Sequence, residues 1–158
     1  MEKILLGADP WGLALKNIIK AHLEKKGYEI LDIGMYDAVH EIMYYDVAAT
    51  AAKKIQNSEV KRGILFCGTG MGVSIVANKF KGIYASVIES EFTAKMCKAV
   101  NNANIMTMGG NIISPFKAKL AVDAWLSTEH GDTFEPKMAQ YLKDSLGEIA
   151  KIEAEICK

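Results

Sequence analysis

The sequence lacks the features that mark a secreted, membrane-spanning or nucleic-acid-binding protein. Its 158 residues contain only three cysteines, Cys67, Cys97 and Cys157, an odd number without the spacing of a disulfide framework. Nineteen basic and nineteen acidic residues cancel, so no net charge favours nucleic acid or an acidic membrane surface. No apolar run is long enough to cross a bilayer. We therefore expect free thiols, no nucleic-acid partner and no membrane partner.

Two further scarcities bear on location and on ligand binding. Lys3 leads directly into Ile4-Leu5-Leu6, too short an apolar stretch for a signal peptide, so we expect a protein of the cytoplasm. Arg62 is the single arginine among the basic residues, which limits how a phosphate could be held. The composition is otherwise that of a globular protein, and residues 1–158 are enough for one domain with its own core.

Short apolar segments alternate along the chain with longer stretches of helical period. Strands are predicted at 3–6, 29–33, 63–67, 83–87 and 105–108, and helices at 12–26, 45–56, 71–79, 90–100, 115–127 and 135–157. This alternation predicts a doubly wound α/β fold, a Rossmann-like three-layer sandwich around a five-stranded parallel sheet. The extra C-terminal helix, about 135–157, serves no strand. It packs either on its own domain or across a dimer interface.

Two loops have the composition of a ligand site. In a parallel sheet ligands bind beyond the carboxyl ends of the strands. The first strand runs into Gly7-Ala8-Asp9-Pro10-Trp11-Gly12, and the third into Cys67-Gly68-Thr69-Gly70-Met71-Gly72-Val73-Ser74. The glycines allow a ligand close to the backbone, and the following helix offers free N–H groups to an anion. The spacing fits neither a dinucleotide fingerprint nor a P-loop.

Cys67 is the most informative residue of these loops. At the end of a buried strand, beside a helix start, its thiolate would be stabilised and could remove a carbon-bound proton. The neighbouring N–H groups could then hold the developing enediolate oxygen. An inert core cysteine is the alternative at this position. Asp9 could bind sugar hydroxyls, or it could simply stabilise the turn before Pro10.

These segments resemble the type B ribose-5-phosphate isomerase and galactose-6-phosphate isomerase family. The resemblance covers nearly the whole chain and is most specific at residues 63–79, continuing through 101–109 and 124–126. It implies a sugar-phosphate isomerase that forms a homodimer, often paired into tetramers, with active sites at the dimer interface. It also implies that Cys67 is the base, with Thr69 in the catalytic group. The substrate ligands it supports are Asp9, Gly68, Gly70, Met71, Gly72, Ser74 and Asn101.

The departures from the family bear on the substrate. Type B ribose-5-phosphate isomerases have Asp-His where this chain has Asp9-Pro10, and Val100 replaces a second histidine that is credited with opening the sugar ring. Neither proline nor valine can move a proton. We therefore expect an aldose–ketose isomerase that acts through an enediolate on a short or acyclic sugar phosphate, such as a tetrulose phosphate, rather than on ribose 5-phosphate.

The phosphate-binding residues of the family are also replaced. Asn111 stands at one arginine position, and residues 130–137 replace the segment that holds the other, which leaves Lys137 as a cationic substrate ligand. An isomerase of an unphosphorylated sugar, or a catalytically silent sugar-phosphate-binding subunit, are the alternatives. No pair of histidines or carboxylates stands at ligand spacing around the site, so neither a metal nor another cofactor is expected.

Overall fold

The computed structural model describes residues 2–156, within which five strands and six helices alternate. The strands are β1 Lys3–Ala8, β2 Glu29–Asp32, β3 Arg62–Cys67, β4 Ala85–Val87 and β5 Ile105–Gly109. The helices are α1 Leu13–Lys25, α2 Tyr44–Gln56, α3 Met71–Ala77, α4 Glu91–Asn101, α5 Pro115–Leu126 and α6 Pro136–Ile156. The predicted end of the last helix at residue 157, and Cys157 itself, lie outside the described residues.

All five strands are parallel and lie in the order β2-β1-β3-β5-β4. From β1 the chain first adds a strand on one side and then continues on the other, so the strand order reverses between β1 and β3. In such sheets the reversal opens a crevice at the carboxyl ends of the two strands. The Rossmann-like α/β fold predicted from the sequence is confirmed.

Two helical layers cover the sheet because its strands are apolar on both faces. On one side α1, α4 and α5 pack on a core that includes Leu6, Phe66 and Trp125. On the other side α2 and α3 pack on a second core around Leu65 and Val73. Capping residues determine where two of the helices begin. Ser114 and Pro115 start α5, and a capping box of Ser90 and Thr93 starts α4.

Helix α6 leaves most of its apolar side uncovered. Leu142 is its one buried residue within the described range. Large apolar side chains on the rest of the helix are exposed, namely Met138, Tyr141, Ile149, Ile152 and Ile156. Of the two arrangements expected for this helix, packing on its own domain is therefore incomplete. None of the helices between residues 2 and 156 is both long and apolar enough to span a membrane.

A buried ion pair fixes the chain where β2 ends. The ammonium group of Lys16 has no solvent exposure and donates to both carboxylate oxygens of Asp32, at 2.8 and 3.0 Å, and to the carbonyl oxygen of Met35 at 2.6 Å. Lys20 donates to the same carboxylate at 3.0 Å. Gly34 and Met35, in the segment that Lys16 contacts, form backbone hydrogen bonds with Ala8, the residue before Asp9. The pair thus supports the carboxyl end of β1.

Replacing Asp32 by asparagine should destabilise the fold in a pH-dependent way. Burial alone would raise the pKa of Asp32, but hydrogen bonds from Lys16 and Lys20 lower it below its ordinary value of 3.8. Such a carboxylate stabilises the fold above its unfolded-state pKa, and this contribution is lost as pH falls through the folded-state pKa. At pH 7 we expect Asp32→Asn to lower the free energy of unfolding by about 3 kcal/mol, because Lys16 stays buried without its counter-charge.

Urea denaturation of both proteins at pH 7 and pH 3 measures this effect. The difference in free energy of unfolding between the parent protein and Asp32→Asn should be smaller at pH 3, where Asp32 of the parent protein begins to protonate. Asp144→Asn, at an exposed position of α6, is the matched control and should change little at either pH. An Asp32→Asn protein as stable as the parent at pH 7 would contradict the role given to this pair.

Candidate active site

Asp9, Cys67 and the loop 68–72 lie together at the carboxyl edge of the sheet. Asp9 follows β1, and Cys67 is the last residue of β3, the adjacent strand. The amide of Asp9 donates to the carbonyl oxygen of Phe66 at 3.2 Å, which continues the pairing of the two strands past their ends. The structure thereby brings together the residues that the sequence predicted on two separate loops.

The Cys67 thiol is buried, with 5% of the residue exposed, and it faces the turn that precedes α3. Its Sγ accepts a hydrogen bond from the amide of Gly70 at 3.1 Å. The Cys67 sulfur is therefore a hydrogen-bond acceptor in this structure. Cys97 differs, because its thiol donates to the carbonyl oxygen of Ala94 and burial raises its pKa to about 11. The two buried cysteines of the described chain are therefore chemically distinct.

The turn after Cys67 depends on two glycines. Gly70 has φ of +78°, a left-handed conformation that turns the chain from the strand into the helix. Gly109, at the end of β5, lies under the turn: a Cβ atom there would come within 2.6 Å of the carbonyl carbon of Thr69. Because the turn rests on Gly109, the amide of Gly70 stays within hydrogen-bond distance of the sulfur atom.

The remaining predicted residues of this loop have different environments. Thr69 is exposed, and its Oγ1 accepts a hydrogen bond from the amide of Met71 at 3.3 Å. Met71 is exposed as well, whereas Ser74 is buried and its hydroxyl donates to the carbonyl oxygen of Ala85 at 3.3 Å. Thr69 and Met71 are thus at the open side of the site. Ser74 joins α3 to β4 and reaches a ligand only if this bond is given up.

Asp9 is a buried carboxyl group next to the thiol-bearing strand. Its Oδ1 accepts the amide of Gly12 at 2.9 Å, so it caps its own turn. Burial raises the pKa of Asp9, while hydrogen bonds from the backbone of Gly12 and Trp11 oppose that shift. Asp9 therefore stabilises its own turn, which is one of the two alternatives from the sequence, and its role as a substrate ligand stays a prediction.

Two residues at this edge were not predicted as site residues. A Cβ atom placed on Gly68 would lie 3.4 Å from the Cβ of Trp11 and 3.4 Å from Nδ2 of Asn111, so both side chains flank the loop. The backbone N–H of Asn111 donates a hydrogen bond to the carbonyl oxygen of Gly68 at 3.0 Å. Trp11 follows the end of β1 and Asn111 follows the end of β5. A position just after the carboxyl end of a strand is the sequence signal that could have identified both residues.

Asn101 and Lys137 lie at the opposite edge of the sheet. Asn101 ends α4, which runs back from the carboxyl edge, and β5 begins four residues later beside the start of β3. Ile105, the first residue of β5, pairs with Gly63 of β3. Cys67 lies four residues further along β3, which is about 13 Å away along the strand. The segment before Lys137 is bonded to this end of α4, through Gly131 to Ala99 at 2.8 Å and His130 to Val100 at 3.3 Å.

Arg62 also lies at the amino edge, at the first residue of β3. Its guanidinium group donates to Glu2, at 2.7 Å from Nε, and to the carbonyl oxygen of Leu126. Arg62 is thus at the opposite end of β3 from Cys67. Within residues 2–156, no three histidine, cysteine or acidic side chains are close enough together to hold a metal ion.

Comparison with known proteins gives consistent matches along the chain. The family profile described as Ribose/Galactose Isomerase matches residues 4–140. The 4-deoxy-4-sulfo-D-erythrose isomerase of a Clostridium species (strain MSTE9) is 42% identical over 154 residues, covering 98% of this chain and 97% of that protein. The D-erythrulose-4-phosphate isomerase of Pectobacterium atrosepticum is 38% identical, over 87% of this chain and 91% of that protein.

Solved structures agree with the sequence matches. The structure of Clostridium thermocellum ribose-5-phosphate isomerase B has a TM-score of 0.86 and 35% sequence identity. The superposition covers 97% of this chain and 98% of that one, so it includes α6 as well as the sheet.

The difference between the two buried cysteines can be measured by alkylation. We expect iodoacetamide at pH 8 to modify Cys67 well before Cys97, because burial raises the pKa of Cys97 to about 11 and keeps it a thiol at that pH, whereas Cys67 lies at the open carboxyl edge of the sheet. The experiment uses a Cys157→Ser background and locates the label by peptide mass mapping, with Cys67→Ser as the control. Labelling of Cys97 at an equal rate would contradict the assignment.

Proposed function

Since the chain belongs to the ribose/galactose isomerase family and is an isomerase, we propose that it interconverts the aldose and ketose forms of an open-chain four-carbon sugar with an anionic group at C4. The observation that carries this proposal is the Cys67 sulfur, which accepts the Gly70 amide at the carboxyl edge of the sheet beside Asp9. A base, a group of amide donors and a carboxyl group are what an enediolate reaction requires.

The proposed reaction moves one proton between two carbon atoms. The Cys67 thiolate removes a proton from C1 of the ketose, and the released electron pair forms the C1–C2 double bond. The C2 oxygen becomes an enediolate oxygen, which the N–H groups of residues 68–72 stabilise. The thiol then returns the proton to C2. The hydroxyl proton of O1 is transferred to O2 as the C1 carbonyl forms, so the aldose product carries a hydroxyl group at C2 and the thiolate is regenerated. Thr69 and Asp9 are the groups we assign to handling the protons on oxygen.

The choice of a four-carbon substrate follows from ring chemistry. A free hydroxyl at C4 of an aldotetrose closes a five-membered ring on C1, but a phosphate ester or a sulfonate at C4 prevents this. The substrate then stays open, and no group is needed to open it. Pro10, which adjoins Asp9, has no proton to give, and Val100 has none either. The four-carbon substrates in the names of two relatives, a sulfoerythrose and an erythrulose phosphate, support the same choice.

We further propose that each site is completed by a second copy of the chain, so that the protein works as a homodimer. Asn101 and Lys137 are on the opposite edge from Cys67 and cannot bind the same small molecule within one chain. Exposed apolar side chains rim the Cys67 edge, such as Trp11 at 70% exposure and Met71, and others cover α6. A dimer that buries them would bring the partner's Asn101 and the partner's Lys137 to Cys67.

A thiolate base also restricts where the reaction can take place. Cys67 must stay reduced to accept a proton from carbon, and thiols persist in reducing compartments. We therefore assign the enzyme to the cytoplasm.

Proton exchange in deuterium oxide, followed by NMR, tests the reaction and its substrate together. We offer erythrulose 4-phosphate, 4-deoxy-4-sulfo-erythrulose, unmodified erythrulose and ribose 5-phosphate, which is a closed furanose. Deuterium should enter C1 of the first two ketoses, with slow or no exchange in the last two. Cys67→Ala should abolish the exchange, since no other group in the described chain is assigned as the base.

The control is Cys97→Ala, which removes the other buried thiol and should keep the exchange rate within a few-fold of the parent. Full exchange in Cys67→Ala would disprove the thiolate mechanism. Exchange into ribose 5-phosphate alone would disprove the substrate class. Thermal stabilisation by these ketoses without any exchange would favour a silent sugar-binding subunit.

Complementation between two inactive variants tests the shared site. One variant subunit carries Cys67→Ala, and the other variant subunit carries Asn101→Ala together with Lys137→Met. Co-expression with two affinity tags allows the mixed dimer to be isolated. In a two-fold dimer both lesions fall in one site and the second site is intact, so we expect about half of the parent activity.

A mixed dimer of Cys67→Ala with the triple variant, which carries all three substitutions, is the matched control and should stay inactive. An inactive mixed dimer in the main experiment would show that the residues do not combine across subunits.

A further inference from the structure

A polar cavity of about 500 Å³ lies at the amino edge of the sheet, away from the Cys67 loop. Its walls come from the first residues of β1 and β3, the last turn of α4 and the chain after α5. Three cations, Lys61, Arg62 and Lys98, and two carboxylates, Glu2 and Glu129, line it. The cavity is large enough for a small metabolite, and its charged walls exclude an apolar one.

Lys98 is a buried ammonium group without a counter-charge. The residue is 9% exposed, and its Nζ donates to the neutral side chain of Asn102 at 2.6 Å. No carboxylate within residues 2–156 comes close enough to form an ion pair with it. Burial lowers the pKa of Lys98, and the nearby positive charge of Arg62 lowers it further. Burying a charge is costly unless it is paired, so this group has an unmet need for an anion.

The neighbouring charges do not meet that need. Glu2 is committed to Arg62, which also donates to the carbonyl oxygen of Leu126 and lies over the ring of Trp125, 5.5 Å from its centre. That pair is neutral overall. Glu129 lies on the exposed side of the cavity and partly offsets Lys98, but the exposed Lys61 offsets Glu129 in turn. The cavity is left with one excess positive charge, located at its buried end.

We propose that this cavity is a second ligand site, which binds a small oxyanion of the phosphate type through Lys98. Two of the three Nζ protons of Lys98 remain free for the anion, since the third is bonded to Asn102. Charge-assisted hydrogen bonds to an oxyanion would replace the missing counter-charge. The cavity is lined by Lys98 and Asn102 and not by Asn101 or Lys137, the residues assigned to the substrate site, and Cys67 of the same chain is at the other edge of the sheet.

Inorganic phosphate is the probe, and its binding is followed by isothermal calorimetry and by amide shifts in ¹⁵N-edited NMR spectra. A Lys137→Met background removes the cation that we assign to the substrate site. We expect shifts at residues 98–102 and 61–62, and at least about tenfold weaker binding in Lys98→Met. Lys95→Met, on the same helix and outside the cavity lining, is the matched control and should bind phosphate like its parent.

Glu129→Gln gives a second variant in case Lys98→Met folds poorly. It removes the one lining carboxylate that has no ion-pair partner in the described chain, and phosphate should bind more tightly as a result. Equal binding by the parent, Lys98→Met and Glu129→Gln would overturn the proposal. So would the absence of shifts at residues 98–102 at tens of millimolar phosphate. Either result would leave the Cys67 reaction unaffected.

Discussion

The five strands of the sheet are parallel, and this direction decides which residues of one chain can act together. Asp9, Cys67 and Asn111 follow strand ends, so they meet at the carboxyl edge. Asn101 ends a helix that returns to the amino edge, and the chain that precedes Lys137 is bonded to the same end of that helix. No side chain spans the intervening length of strand. A molecule with four carbon atoms can therefore contact both groups only where two subunits face each other, and the uncovered apolar side of α6 is consistent with such a contact.

Close backbone packing then determines the chemistry at the carboxyl edge. Gly12 lies so close to Phe66 that a Cβ atom would approach its carbonyl carbon to 2.4 Å, and Gly109 has the same relation to Thr69. These contacts hold the loops after β1 and β3 against the sheet without intervening side chains. The amide of Gly70 consequently meets the Cys67 sulfur at hydrogen-bond distance. In the proposed reaction, amides held in this way would stabilise the enediolate oxygen with no reorganisation of charged side chains.

Much of this arrangement could be predicted from sequence, because apolar runs and helical periods report burial directly. All five strands and six helices were expected, although β4 begins at Ala85 rather than at residue 83, and α3 ends at Ala77 rather than at 79. Asn78 explains the early end of α3, since its side chain bonds both the amide and the carbonyl group of Ala85. The ion pair of Lys16 with Asp32 could not be predicted. The two residues are 16 positions apart in the sequence, and a lysine on a helix is usually predicted to be exposed to solvent.

The scarcity of arginine links the two edges of the molecule. The single guanidinium group is held by Glu2 and Trp125 at the amino edge, where it contributes to packing and leaves Lys98 unpaired. At the carboxyl edge, an anion must then be bound by backbone amides and by ammonium groups. These donors lack the bidentate geometry with which arginine binds a phosphate dianion. A site of this kind discriminates less between a phosphate and a singly charged sulfonate. Under the proposed function, the length of the carbon chain and its inability to form a ring would then be the features that select the substrate.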